Sequence, residues 1–255
     1  MSPQASPPAA PAPVMRPGSS GEREPALGHY VPESRFGEWF QRTNIWRQYV
    51  VDEAVAELAS LLPPGSGRFG TVLDVGCGEG AAFAALKRTF EPRLIVAVDI
   101  HAGAVAAAER LARQLGGRFE VRRADAGRLP IESGSVDLAL CHQLLHHCTD
   151  PASALAELRR VLAPGGWLLV AESCRSFLRW WPVRLLFRHP PREQYTAERY
   201  AALIESAGFS IGASGVLTPA PWWSLPDLGL RRRLGLATAR PEAPQVRIAA
   251  RPRRP

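Results

Sequence analysis

An acid and a set of closely spaced glycines suggest a small-molecule site in the first half of the chain. Asp74 lies within the apolar run of residues 71–75, and three alternating glycines follow at once: Gly76, Gly78 and Gly80. Residues 81–86 then favour a helix, so the pattern predicts a buried strand, a tight turn and a helix start. Glycine lets a ligand approach the backbone closely, and the helix N-terminus offers free N–H groups.

A second acid makes the site more specific. The apolar run of residues 94–98 ends in Asp99, and an acid at the end of a second strand is where the hydroxyls of a ribose are held. The glycine spacing is G-x-G-x-G and not the G-x-G-x-x-G of dinucleotide sites. Alone, the glycine turn would suit an ordinary strand–helix loop equally well. Together, Asp74, the glycines and Asp99 predict a nucleoside site that does not hold a pyrophosphate.

Histidines form the second group of chemically capable residues. His142, His146 and His147 lie close to Cys141 and Cys148. The spacing of His142 and His146 could suit a metal ion, but no further ligand is placed by the spacing, and we predict no metal site.

A neutral imidazole can also remove a proton from a hydroxyl or an amine near pH 7. We therefore name His146 and His147 as candidate catalytic bases, and Glu172 as the carboxylate that could orient one of them. The alternative, that His146 and His147 only shape a pocket wall, stays open at this point.

Strands and helices alternate along the chain, which predicts an α/β fold with a doubly wound, parallel sheet and a site at the carboxyl ends of its strands. Asp150 and Pro151 predict the start of one helix as its N-cap and first-turn residues. The predicted helices cover residues 36–62, 81–89, 102–115, 151–162 and 196–207. The predicted strands cover residues 71–75, 94–99, 119–124, 136–141, 167–171 and 209–216.

Composition limits the class of protein further. The 255 residues are 46% hydrophobic, which suffices for one domain. The net charge of +7 is not gathered into a basic block with interleaved aromatics, so no nucleic-acid partner is expected. The four cysteines lack CxxC spacing, which favours free thiols and a cytoplasmic location. Residues 1–28 are rich in Pro and Ala and are predicted to be disordered, without a signal peptide.

Longer stretches resemble a known family, the class I S-adenosylmethionine-dependent methyltransferases. The resemblance is greatest to the small-molecule branch, which includes quinone and natural-product methyltransferases. It is carried by VLDVGCGEG (72–80), VAVDI (96–100), ADAGRLPIESGSVDLALCHQLLHHCTDP (124–151), LRRVLAPGGWLLVAE (158–172) and YTAERYAALIESAGF (195–209).

The resemblance implies the fold and the cofactor. It implies a Rossmann-like, seven-stranded, mostly parallel sheet with an antiparallel last strand at residues 245–250 and helices on both faces. Residues 29–255 would form a single domain with a lid inserted at about 173–193. By resemblance, the residues that bind S-adenosyl-L-methionine are Asp74, Gly76, Cys77, Gly78, Asp99, Ile100, Asp125, Ala126 and His142.

The roles of these residues follow from the same resemblance. Asp99 would hold the ribose, Ile100 would pack on the adenine, and Asp125 and the Ala126 N–H would bind the adenine edge. The pair His146–His147 would lie beside the acceptor pocket. The N-terminal aromatic segment would fold over the cofactor, although packing of its aromatics on the sheet is an equal alternative.

The predicted activity is methyl transfer to O, N or C of a small molecule. The aromatic and Arg-rich residues 173–193 favour a hydrophobic acceptor and a transient contact with a membrane surface, although they could also form lid packing or a dimer contact. On one helical wheel, Arg184 and Arg188 fall inside the apolar face, so this is not a clean interfacial helix. Two further alternatives are a non-catalytic binding module and an RNA methyltransferase. The latter lacks the Asn/Asp-Pro-Pro-aromatic motif after the fourth strand.

Overall fold

The computed structural model describes residues 34–66, 69–188, 194–225, 227–228, 230–235 and 242–253. The N-terminal segment 1–28, for which disorder is predicted, and residues 189–193 of the predicted lid lie outside the described residues. The described residues contain a seven-stranded sheet in the order β3-β2-β1-β4-β5-β7-β6. The strands are β1 (Thr71–Val75), β2 (Leu94–Asp99), β3 (Phe119–Arg123), β4 (Val136–His142), β5 (Leu162–Ser173), β6 (Phe209–Leu217) and β7 (Gln245–Pro252).

The pairing of the strands confirms the predicted fold class. Strands β1 to β5 pair in parallel, whereas β7 runs antiparallel to both β5 and β6. The strand order reverses between the neighbouring strands β1 and β4: from β1 the chain adds β2 and β3 towards one edge, and from β4 it continues towards the other edge. Ligands of such sheets bind at that point. The helices are α1 (Arg35–Gln41), α2 (Asn44–Trp46), α3 (Glu53–Ser60), α4 (Phe83–Phe90), α5 (Ala102–Leu115), α6 (Pro151–Val161), α7 (Arg175–Leu178), α8 (Trp181–Leu186), α9 (Ala197–Ser206) and α10 (Leu230–Arg233).

Apolar residues on both faces of the sheet are buried under helices. On one face, Leu58 of α3, Leu86 of α4 and Ala108 of α5 pack in one cluster with strand residues such as Leu140. On the other face, Leu158 of α6 packs in a second cluster that also contains Tyr200 and Ile204 of α9. The near-continuous apolar runs of β1, β2 and β4 reflect this burial on both sides.

The single helix predicted over residues 36–62 is wrong. The chain leaves the helical conformation at Thr43, which is extended (ψ 153°) and accepts a hydrogen bond from the Trp46 N–H through its side chain (3.2 Å). A π-helical stretch, Arg47–Asp52, then leads into α3. Thr43 therefore interrupts the helix by capping the next turn, although apolar residues recur at helical spacing on both sides of it.

Two other boundaries differ from the predictions. Strand β5 begins at Leu162 and not at residue 167 as predicted, so Pro164, Gly165 and Gly166 lie within the strand, where its pairing with β4 shifts register. After Ser173, the predicted lid segment forms the two short helices α7 and α8. Pro182 lies in the first turn of α8, where the missing N–H costs nothing.

A buried ion pair fixes the N-terminal helices to the sheet. Arg247 on β7 is 2% exposed, and its Nε donates to Glu57 of α3 (2.9 Å). Its Nη2 also donates to Gln245 Oε1 (2.6 Å). Since a buried charge is tolerated only when it is paired and hydrogen-bonded, this contact sets where α3 lies on the sheet.

Candidate functional site

A cavity of about 1050 Å³ lies at the carboxyl ends of the central strands. The glycine turn after β1, the ends of β2 and β3, and the chain after β4 all contribute to its wall. The cavity therefore occupies the point where the strand order reverses, as expected for a doubly wound sheet. The residues predicted to bind the cofactor all line it: Asp74, Gly76, Cys77, Gly78, Asp99, Ile100, Asp125, Ala126 and His142.

Gly76 and Gly78 both have a left-handed backbone conformation, but they differ in the space around them. Gly76 has φ +71°, and a Cβ there would lie 2.8 Å from Leu144 Cδ1. Gly78 has φ +54°, but a Cβ there would meet nothing within 4 Å among the described residues. The first glycine is required by backbone and packing, whereas the second is required by backbone and leaves space open to the cavity.

Asp99 is held in place by the backbone and keeps capacity for a ligand. Its Oδ2 accepts the Gly78 N–H and its Oδ1 accepts the His101 N–H, each at 2.9 Å. A carboxylate has about four lone-pair directions, so each oxygen can accept one further hydrogen bond. This geometry suits a vicinal diol.

Asp74 is the most unusual charge of the cavity. It is 2% exposed, and its Oδ2 has no hydrogen-bond partner among the described residues. Burial, together with the neighbouring charge of Asp99, raises the pKa of Asp74 to about 7. An unpartnered buried carboxylate oxygen is costly, and a cationic ligand would offset that cost.

Asp125 follows β3 in a tight turn. Its Oδ1 accepts the Gly127 N–H (2.8 Å), which fixes the side chain beside Ala126 and the cavity. The second carboxylate oxygen and the Ala126 backbone can then present an acceptor and a donor side by side. That pattern suits the edge of an adenine.

His142, the last residue of β4, is a half-buried ring in the cavity wall. The Trp46 ring lies edge-on to it at 6.3 Å. Burial lowers the pKa of His142 to about 3, and the positive charge of Arg247 adds to this effect. The ring is therefore neutral near pH 7, and its Nε2 has no hydrogen-bond partner among the described residues.

The three candidate catalytic residues occupy different places. Glu172 is completely buried; its Oε1 accepts the N–H groups of Leu144 (2.9 Å) and Leu145 (2.7 Å). Its Oε2 lies 2.5 Å from His146 Nδ1, and His146 is itself only 2% exposed. His147 lines the cavity, and its ring centroid is 4.2 Å from that of His146. The carboxylate therefore orients His146, and His147 is the one of the three that reaches the cavity wall.

Two features of the cavity were not foreseen from the sequence. Gln143 lines the cavity with φ +53°, an uncommon conformation for a residue other than glycine, and its N–H donates to Ala171 O (2.8 Å). At the rim, Arg42 pairs with Glu79 of the glycine turn (2.7 Å). Neither has a sequence signal, because one is a backbone effect and the other joins residues far apart in the chain.

In the described part of the chain, no group of three or more His, Cys, Asp or Glu side chains is placed to hold a metal ion. None of the described helices is long and apolar enough to cross a membrane.

The known proteins that are similar to this chain include several methyltransferases. Residues 73–170 match the family model described as "Methyltransferase domain". A malonyl-[acyl-carrier protein] O-methyltransferase of Methylovorus sp. is 38% identical over 104 residues, which cover 38% of this chain and 35% of that protein. The O-methyltransferase cnsE of Penicillium expansum is 28% identical over 181 residues, or 70% of this chain and 59% of that protein.

The chain thus spans less than two thirds of the length of these curated relatives. Among solved structures, a SAM-dependent methyltransferase from Aquifex aeolicus has a TM-score of 0.59 at 19% identity, covering 84% of this chain and 95% of that one. This likeness shows the fold. The family match adds that residues 73–170 resemble a methyltransferase domain, in agreement with the sequence resemblance.

Proposed function

We propose that this protein transfers the methyl group of S-adenosylmethionine to a small, hydrophobic molecule. One observation carries the proposal. Asp74, Asp99 and Asp125, from β1, the end of β2 and the turn after β3, meet at one cavity within the matched methyltransferase region. Three carboxylates of this kind suit a ligand that combines cationic groups, a ribose and an adenine.

The residues present fit the cofactor. The unpartnered Oδ2 of Asp74 is a suitable acceptor for the ammonium group or a neighbour for the sulfonium charge. The free lone pairs of Asp99 suit the ribose hydroxyls, and Asp125 with Ala126 suits the adenine edge. Ile100 and Cys77 add apolar surface to the same wall. Uncharged His142 can accept a hydrogen bond near the cationic end without adding a repelling charge.

The chemistry is an in-line displacement. The cofactor supplies a methyl carbon that is activated by the sulfonium charge. When bound, it would give this methyl group to the acceptor atom, and the sulfur would leave with the electron pair of the carbon–sulfur bond. The chain contributes by orienting both partners in the cavity.

We assign the proton-accepting role to His147, because it lines the cavity whereas His146 and Glu172 lie behind it. The Glu172–His146 pair holds the turn after β4 through the Leu144 and Leu145 N–H groups and presents the His146 ring as a support for His147. His146 and Glu172 therefore act as positioning residues. If His147 only formed the pocket wall, its replacement by alanine would leave kcat unchanged.

Support for a hydrophobic acceptor comes from the aromatic residues above the cavity. Trp46 lines the cavity, and its ring packs on Phe40 at 5.8 Å. Phe40 in turn packs on Phe187, next to α8, at 5.8 Å. An aromatic chain of this kind gives an apolar molecule a surface on which to pack.

The direct test is to follow a labelled methyl group. The protein is incubated with S-adenosylmethionine labelled at the methyl group and a metabolite extract, and small-molecule, protein and RNA fractions are analysed separately. We expect label in an organic-soluble small molecule, and loss of that label with Asp99→Ala but not with Glu132→Ala, a change at an exposed acid outside the cavity. Label confined to RNA, or binding of the cofactor without transfer to any fraction, would contradict the proposal.

A further inference from the structure

An exposed apolar surface lies on helices α1 and α8, outside the cavity. Trp181 and Leu185 are one helical turn apart on α8 and are 71% and 75% exposed, and Trp39 on α1 is 59% exposed. Large, clustered, exposed apolar side chains of this kind mark interaction sites. We call the set Phe36, Trp39, Trp181, Leu185 and Leu186 the α1–α8 surface.

The two helices form one continuous surface. The Phe187 ring, directly after α8, packs edge-on against Phe36 (5.6 Å) and Phe40 (5.8 Å) of α1. The Ser34 hydroxyl, at the N-cap of α1, donates to the Leu186 carbonyl oxygen. Trp39 joins the same cluster through Phe36 at 5.5 Å.

Arginines lie on and beside the two helices of this surface. Residues 175–188 contain four arginines and no acid, and one of the four, Arg175, pairs with Glu242. Arg179 and Arg184 are exposed, and no ion pair is found for either among the described residues. Arg35 adds a third exposed guanidinium at the start of α1. Glu38, the acid of α1, lines the cavity.

The two-helix structure explains why one helical wheel is misleading here. Because α7 ends at Leu178 and α8 begins at Trp181, Arg184 is not part of a single long helix that starts at Ser173. On α8, Val183 is buried, Trp181 and Leu185 are exposed, and Arg184 is exposed next to them. Helices that present tryptophan and leucine next to arginine bind at the interface of a lipid bilayer.

We propose that the α1–α8 surface docks on an anionic membrane, with Trp181 and Leu185 entering the interface and Arg179 and Arg184 facing lipid headgroups. Charge decides between this occupant and a second copy of the chain, because two such surfaces would bring unpaired arginines together. Helix α1 contributes Trp39 to the surface and Glu38 and Gln41 to the cavity. Docking would therefore place the cavity rim near the bilayer.

Vesicle sedimentation tests the proposal without using enzymatic activity. The full chain is mixed with vesicles of phosphatidylcholine alone or of equal parts phosphatidylcholine and phosphatidylglycerol. We expect binding to the anionic vesicles that weakens as salt is added. The pair Arg179→Glu and Arg184→Glu should reduce it roughly tenfold or more, since each basic residue contributes to binding at an anionic surface.

Two variants keep the result interpretable. Arg113→Glu with Arg118→Glu makes the same change of charge at exposed positions near β3, at the other edge of the sheet, and should bind nearly as well as the parent. Trp181→Ser with Leu185→Ser should lose binding while the circular dichroism spectrum is unchanged. Equal loss in both charge variants, binding that ignores lipid charge, or a dimer that dissociates in the Trp181/Leu185 variant without any vesicle binding would overturn the proposal.

Discussion

Replacing Asp74 by asparagine should stabilise the ligand-free protein at neutral pH. Asp74 is 2% exposed, its Oδ2 has no partner among the described residues, and the charge of Asp99 is close. Burial raises the pKa of Asp74 from 3.8 to about 7. The folded state therefore holds a proton that the unfolded state releases, and ionising Asp74 costs free energy of folding.

The size and the pH range follow from these values. The interval between 3.8 and about 7 corresponds to about 4 kcal/mol at roughly 1.4 kcal/mol per pH unit, an upper value for a buried carboxyl. Below about pH 4 both states are protonated and the cost is absent. The free energy of unfolding therefore falls as the pH rises from about 4 to about 7, and Asp74 causes no further fall above that range.

Urea unfolding of the parent and Asp74→Asn from about pH 3.5 to about pH 8 measures this difference. We expect the two proteins to be close in stability at the acid end and the variant to gain a few kcal/mol towards the alkaline end. Glu132→Gln, at an exposed acid, controls for a general charge effect. A variant that is less stable at pH 8, or a difference that does not change with pH, would refute this account of Asp74. The same substitution should weaken binding of S-adenosylmethionine, because the carboxylate is proposed to face its positive charge.

Two comparisons of neighbouring residues test the rest of the cavity. Gly76→Ala should cost roughly 1–3 kcal/mol of stability, because its Cβ would meet a leucine side chain at 2.8 Å. Gly78→Ala should cost less stability and mainly weaken cofactor binding. Urea unfolding measures the stability and titration calorimetry the binding, and the reverse ranking would contradict the assigned roles. His147→Ala should lower kcat roughly 10²-fold or more with cofactor affinity intact. His146→Ala should instead destabilise the protein by roughly 1–3 kcal/mol, since it leaves a buried Glu172 oxygen without its partner; a fully active His147→Ala protein would leave that residue a wall only.

The sequence predicts the central sheet well because its signals there are local. Strand β2 and helix α5 have the predicted bounds, and Asp150 caps α6 by accepting the Ser153 N–H (3.1 Å) as expected. Burial on both faces forces apolar runs, and glycine turns end them. All nine residues predicted to bind the cofactor line one cavity for the same reason, since they lie near the carboxyl ends of neighbouring strands or directly after them.

The remaining differences come from contacts between distant residues. Periodicity continues through Thr43, so it could not indicate that the N-terminal helix breaks there. Glu172 is expected to orient an imidazole, but the histidine that it contacts, His146, depends on how the turn after β4 folds. The left-handed Gln143 and the buried Glu57–Arg247 pair likewise depend on tertiary packing rather than on residue spacing.

Binding of S-adenosylmethionine to the parent and to Asp99→Ala, measured by titration calorimetry, tests the central claim most directly. The carboxylate is proposed to accept the ribose hydroxyls, and hydrogen bonds to a charged group contribute about 1.5–3 kcal/mol each. We predict one site per chain in the parent and an affinity at least roughly tenfold weaker in the variant, with the circular dichroism spectrum unchanged. Equal affinity in a folded Asp99→Ala protein, or no binding by the parent, would contradict the assignment of this cavity to the cofactor.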